Sequence, residues 1–205
     1  MRNALLATAA LAVFASPATA QSLEDAATAT YSLEKNHAFL TFAVSHNGLS
    51  DYIVNFTDFD ATLAFDPADP EASSLTVTID PTALNTNYPD PEKKVEWETE
   101  LATDSKFFNA GEFPAITFTS TEIARTGEST GTVTGDLSFR GTTAPVTLDV
   151  TFNGVGNMPW FGERDLIGFN AITTITRSEF GMDAMLPNIG DAVTVEFSGE
   201  FLQDE

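Results

Sequence analysis

Apolar and polar positions alternate with period two along most of this chain. Within residues 37–46, Leu40, Phe42 and Val44 alternate with Phe39, Thr41 and Ala43. Between residues 58 and 66, Phe59, Ala61, Leu63 and Phe65 stand against Asp58, Asp60 and Thr62. The cleanest case is residues 74–80, where Leu75, Val77 and Ile79 face away from Thr76, Thr78 and Asp80. The pattern returns at Ile116/Phe118, at Val133/Leu137/Phe139 and at Val146/Leu148/Val150/Phe152. It ends with Phe169/Ala171/Ile175 and Val193/Val195/Phe197. Successive strand residues point to opposite faces, so threonine against an apolar row predicts half-buried strands, about eight of them. Gly, Pro and Asn punctuate the segments, as in "DPADPEASS", "ARTGESTG", "FRGTTAP", "NGVGNMPWFGE" and "LPNIGD".

One stretch departs from this rhythm. "PDPEKKVEWETELATDSKFF" carries Pro91 near its start and sets Val95, Trp97 and Leu101 among charges. Proline is tolerated at a first helical position, which predicts one short helix inserted between strands. Many short antiparallel strands leave exposed edges unless they pack as a sandwich or close on themselves. An eight-stranded barrel is wide enough to hold a ligand where core side chains would otherwise sit. The expected fold is therefore all-β: an eight-stranded antiparallel barrel with one short helical insertion.

The N-terminus carries a different signal. Arg2, an apolar run over residues 5–14 and the small residues Ala18-Thr19-Ala20 predict a signal peptide over residues 1–20, cleaved after Ala20. Residues 21–29 read as a flexible arm and residues 30–205 as one barrel domain. The apolar run is too short to span a bilayer as a stable helix, so no integral membrane anchor is expected. There is no cysteine, so an exported, periplasmic chain would fold without disulfides.

Charge narrows the partners. Thirty acidic against nine basic residues give a net charge of −21, which repels nucleic acid and anionic lipid headgroups. The aromatic set is 17 Phe, 3 Tyr and 2 Trp, which favours a large apolar interior with few polar handles. The sequence carries no sign of an oligomeric state.

Several stretches together resemble the YceI-like family of exported lipid-binding proteins. They are "HAFLTFAVSHNGLS", "FTDFDATLAFDPADPEASSLTVTID", "FFNAGEFPAITFTST", "GDLSFRGTTAPVTLDVTFNG", "PWFGERDLIGFNA" and "TRSEFGM", in the family's order. The pairing of "FRGTTAPVTL" with "RSEFG" is the most specific part. The resemblance implies a lipocalin-like barrel around a long isoprenoid chain, such as a polyprenyl compound or a quinone tail. Glu100, Val54 and Ala61 stand where that family often carries histidine, glycine and glycine, differences that bear on the ligand and the barrel mouth.

Candidate chemistry is sparse. His37 and His46 are the two histidines, short of the three or four converging ligands that zinc requires, and no metal or cofactor is expected. No nucleophile has a visible base, so no catalytic residues are expected. Neither "DFD" nor "DPADPE" fits the calcium-loop spacing of an EF-hand, and both read as solvated acidic turns. His46 shares parity with Phe42 and Val44, which makes it either a hydrogen-bonded structural residue or a headgroup contact. Arg177 lies on the parity of Phe169 and Ile175, the expected inner face. A buried guanidinium needs partners, so it either locks the turn at Phe180-Gly181 or meets a headgroup. Arg140 is expected to stay solvated in its turn.

Parity selects Phe42, Val77, Phe118, Phe139, Leu148, Val150, Phe152 and Phe169 as the ligand-lining set. The expected function is a periplasmic, non-enzymatic carrier of a long-chain isoprenoid lipid. Other readings are an outer-membrane β-barrel, a lipid- or quinone-modifying enzyme, and an accessory to a quinone-linked electron-transfer partner.

Overall fold

The alternation closes into a barrel. The computed structural model describes residues 22–205; the expected signal peptide, residues 1–20, lies outside the described residues. In chain order the strands are β1 (Ala29–His46), β2 (Ser50–Phe56), β3 (Phe59–Phe65), β4 (Ser74–Ile79) and β5 (Leu84–Asn85). After helix α1 (Pro91–Thr103) follow β6 (Ile116–Arg125), β7 (Thr130–Phe139), β8 (Thr142–Asn157), β9 (Asp165–Thr176) and β10 (Ile189–Gln203). Neighbouring strands are antiparallel in the order β1-β3-β4-β6-β7-β8-β9-β10, and β10 pairs back onto β1. Eight strands thus close the wall into a barrel.

The two additional strands continue that wall. Residues 40–46 of β1 pair with β2, whereas residues 29–32 pair with β3, so β2 and β3 act as one strand broken at Thr57-Asp58. Likewise β4 pairs with β3 and β5 with β2. Alternation did not predict β2 because Tyr52, Ile53 and Val54 are apolar in succession. Beyond Ile79 the wall opens between β5 and β6, since β4 meets β6 only over Thr76–Ile79 and Ile116–Thr119. Helix α1 and the loop behind it fill that gap. Asp90 caps the helix by accepting from Glu92 N and Lys93 N, and Pro91 occupies the first turn. Leu101, Ala102 and Phe108 turn inward to the core.

Residues 22–28, expected as a loose arm, are packed. Leu23 and Ala26 are buried, and the Ala27 N–H donates to Asp165 Oδ2 at 2.7 Å. Tyr31, fully buried, donates its hydroxyl to Ala27 O at 2.8 Å. Burial and the nearby Asp165 carboxylate push its phenol up to about 12, so it remains a donor.

The loop arginines are bound as well. Arg140, expected to stay wet, sits at φ 50° and donates to Phe180 O, Phe107 O, Ser105 O and Gly181 O. It ties the loop behind α1 to the turn after β9, a long-range contact that strand periodicity cannot reveal.

Gly135 marks a close approach between β6 and β7. A Cβ there would lie 2.5 Å from Thr119 O and 2.5 Å from the Phe118 ring. Gly135→Ala should therefore lower stability by about 1–3 kcal/mol, measurable as a reduced urea midpoint with an unchanged slope.

Candidate functional site

The barrel is hollow, and its inward side chains show it. On β4, Leu75, Val77 and Ile79 are only half-buried although they face inward, and their exposed neighbours are serine and threonine. The same holds for Val146, Leu148 and Val150 on β8, and for Phe169, Ala171 and Ile175 on β9. Residues at the centre of a solid core lose nearly all their accessible surface. Half-burial on the inner face means that these side chains line a void.

Three apolar cavities lie along the interior. The first, of about 120 Å3, reaches toward Leu23 and the β6–β7 turn and is walled by Leu148, Val150, Phe152 and Phe169. The second, of about 140 Å3, occupies the middle and is walled by Val77, Phe118, Leu137 and Val195. Leu75, Leu148, Ala171, Phe197 and Phe201 border both, so the two are contiguous. Each is close in size to an apolar cavity of about 150 Å3 that takes a benzene ring. The third, of about 300 Å3, lies under α1 and is walled by Phe42, Val54, Trp97, Leu101 and Met185. Between it and the middle cavity runs a chain of contacting rings. Phe56 lies 5.5 Å from Phe42 and 5.7 Å from Phe108, which in turn lies 5.8 Å from Phe139.

Seven of the eight residues chosen by parity border a cavity: Phe42, Val77, Phe118, Leu148, Val150, Phe152 and Phe169. Phe139 does not. It is buried between Phe108 and Phe180, at centroid distances of 5.8 and 5.6 Å, and serves as packing. Leu75, Ala171, Phe197 and Phe201 line the cavities without having been singled out, although Leu75 shares parity with Val77 and Ala171 with Phe169. Trp97 and Tyr88 were beyond reach of alternation, because the segment around α1 brings them over the third cavity.

The two headgroup candidates differ. His46 borders the third cavity, with Nδ1 3.1 Å from Asn47 Nδ2. Tyr52, Tyr88 and Trp97 share that rim, and Trp97 Nε1 donates to Tyr52 Oη at 3.0 Å. Arg177 borders the same cavity but is 4 % exposed and already engaged. It donates to Gly190 O and Met182 O at 2.7 Å, and to Ala184 O and Ile189 O at 2.9 Å. Four of its five N–H donors are thus spent on the backbone of the β9–β10 connection. Burial pulls the guanidinium below its usual range, while Asp191 and Asp183 push it back up. These four bonds tie Arg177 to the backbone of the β9–β10 connection.

Comparison with known proteins places this architecture. The sequence signature of the YceI-like domain matches residues 31–201. A UPF0312 protein of Pseudomonas putida (strain GB-1) is 39% identical over 163 residues, covering 78% of this chain and 80% of the relative. The crystal structure of the Campylobacter jejuni YceI protein superposes with a TM-score of 0.68 at 27% identity, over 78% of this chain and 90% of that one. A polyisoprenoid binding domain from Saccharophagus degradans, implicated in plant cell wall breakdown, has the same fold. It superposes with a TM-score of 0.63 at 16% identity, over 85% of this chain and 98% of its own. The chain belongs to the YceI-like family.

Proposed function

We propose that the chain is an exported, non-enzymatic carrier that holds one long isoprenoid-type lipid inside the barrel. The observation that carries this reading is the hollow interior: inward side chains of β4, β8 and β9 stay half-buried around contiguous apolar cavities. Burying one methylene contributes roughly 0.8 kcal/mol. Ten give about 8 kcal/mol, within the association cost of roughly 4–15 kcal/mol. Such a site therefore favours long chains steeply over short ones. The fold shared with a polyisoprenoid binding domain supports the same ligand class.

The headgroup is neutral or weakly polar, quinone-like, on the following grounds. Once residues 1–20 are removed as a signal peptide, eight basic residues remain. All four arginines among them donate to backbone carbonyls: Arg125 to Gly127 O and Glu128 O, Arg164 to Phe161 O, and Arg140 and Arg177 as above. Lys35 pairs with Asp60 at 3.1 Å. A diphosphate needs several converging cations or N–H groups. By contrast, His46, Tyr52 and Tyr88 bring one imidazole and two hydroxyls to the third cavity, with no cluster of cations.

The outward faces argue against an outer-membrane barrel. Thr147, Asp149, Thr151, Asn170 and Thr174 are exposed where a membrane barrel presents an apolar belt.

Organic extraction of protein purified from periplasm without detergent, followed by mass spectrometry, tests the reading. The expected result is one prenyl chain or quinone per protein and a mature chain beginning at Gln21. A clean extract, with no binding when long-chain lipids are added back, would end the carrier reading. A bound prenyl diphosphate would keep the carrier and overturn the headgroup.

A further inference from the structure

Histidine spacing alone predicts no metal site, but the barrel seam changes the neighbours of His37. Where β1 meets β10, Leu33 pairs with Phe201 and Ala38 with Gly199. Four residues of β1 (Glu34, Lys35, Asn36 and His37) therefore face the single residue Glu200 of β10. Ladder pairing is lost there, and the bulge turns three ligand-bearing side chains toward one point. His37 Nδ1 lies 2.5 Å from Glu34 Oε2 and 3.8 Å from Glu200 Oε2, and one ligand atom from each residue lies within 4.8 Å of the other two.

Glu34 sets this group apart from an ordinary acidic patch. It is 9 % exposed, so it is nine-tenths buried, and its side-chain partners among the described residues are Asn36 and His37, both on the bulge itself. No Lys or Arg lies within ion-pair distance of it among the described residues; Lys35 points instead to Asp58 and Asp60. Its carboxylate accepts from the Asn36 backbone N–H and side-chain amide and lies within ion-pair distance of the His37 ring, so it is held in place beside the imidazole. Glu200 adds a second carboxylate to the same point, on a chain whose net charge of −21 draws cations.

We infer that Glu34, His37 and Glu200 form a binding site for a first-row divalent cation of the zinc type, bridging β1 to β10 on the outer wall. One imidazole and two carboxylates suit zinc, with water completing the shell. Calcium takes six to eight oxygen ligands, more than this group offers. Tetrahedral ligands about 2.1 Å from the ion stand about 3.4 Å apart, between the observed 2.5 and 3.8 Å. His37 and Glu200 are half-exposed, which leaves their side chains room to adjust toward that spacing. The site lies outside the cavities and is independent of the carrier reading.

Zinc titration of the full mature protein, by calorimetry in excess Mg2+ at about 0.15 M salt to screen the diffuse acidic surface, tests the inference. The expected result is one Zn2+ per chain and a Tm that rises with zinc concentration. Glu200→Gln and His37→Gln should each weaken that binding by about tenfold or more. Glu71→Gln, an exposed acid in the β3–β4 loop, should leave it unchanged. Glu200 is half-exposed, so its variant folds and keeps the test valid if His37→Gln is unstable. Several weak zinc sites unaffected by Glu200→Gln, or no binding in excess Mg2+, would overturn it.

Discussion

Arg177→Met should cost the fold about 3–5 kcal/mol. In a domain of this size that lowers Tm by roughly 10 °C. The side chain donates to four carbonyls between Met182 and Gly190, and its removal leaves those acceptors without partners in a site almost closed to water. The loss spreads, because the same turn carries Phe180, whose ring packs on Phe139, and Ser178, whose N–H and hydroxyl donate to Asp191. Arg177→Lys should recover little of this. An ammonium offers three donors from one point, whereas the carbonyls are arranged around a planar fork. Thermal unfolding followed by circular dichroism separates the two roles considered for this residue. A headgroup contact predicts an unchanged Tm with weakened ligand binding. A turn lock predicts the large drop in Tm, and weaker binding only as its consequence.

How much of this was legible beforehand follows from the range over which each interaction acts. Period-two patterning is local, so β4, β8 and β9 could be read directly, together with the face that each turns inward. Parity therefore found Val77, Leu148, Val150 and Phe169 at the cavity wall. It failed at Phe139, whose inward position is real but whose neighbours, Phe108 and Phe180, come from distant segments and fill the space. The same limit hid Trp97 and the four carbonyl contacts of Arg140, both products of how the α1 segment folds over the open part of the wall. The bulge in β1 shifts parity within one strand, so that Leu33 and Leu40 both point inward although they are seven residues apart. A constant alternation could not foresee that shift, nor the meeting of His37 with Glu200 that it creates.

Ala171→Phe should abolish high-affinity lipid binding while leaving the barrel folded. Ala171 borders both the first and the middle cavity, opposite Val150 on one side and Phe197 on the other. A phenyl ring matches the space there, since an apolar cavity of about 150 Å3 accepts a benzene, and these two measure about 120 and 140 Å3. The ring would displace a stretch of about five chain carbons, worth roughly 4 kcal/mol at 0.8 kcal/mol per methylene. That is close to a thousandfold in Kd. Filling an existing void avoids the cavity penalty of a large-to-small change, so Tm should move by only a few degrees. Thr174→Phe is the matched control, because Thr174 lies on the same strand but sits on the opposite, exposed face and borders none of the three cavities. Binding of a fluorescent long-chain prenol analogue should then fall for the inward substitution alone. Equal affinity in both variants would mean that the chain does not occupy this part of the barrel. A loss in the Thr174 variant instead would put the ligand outside the wall.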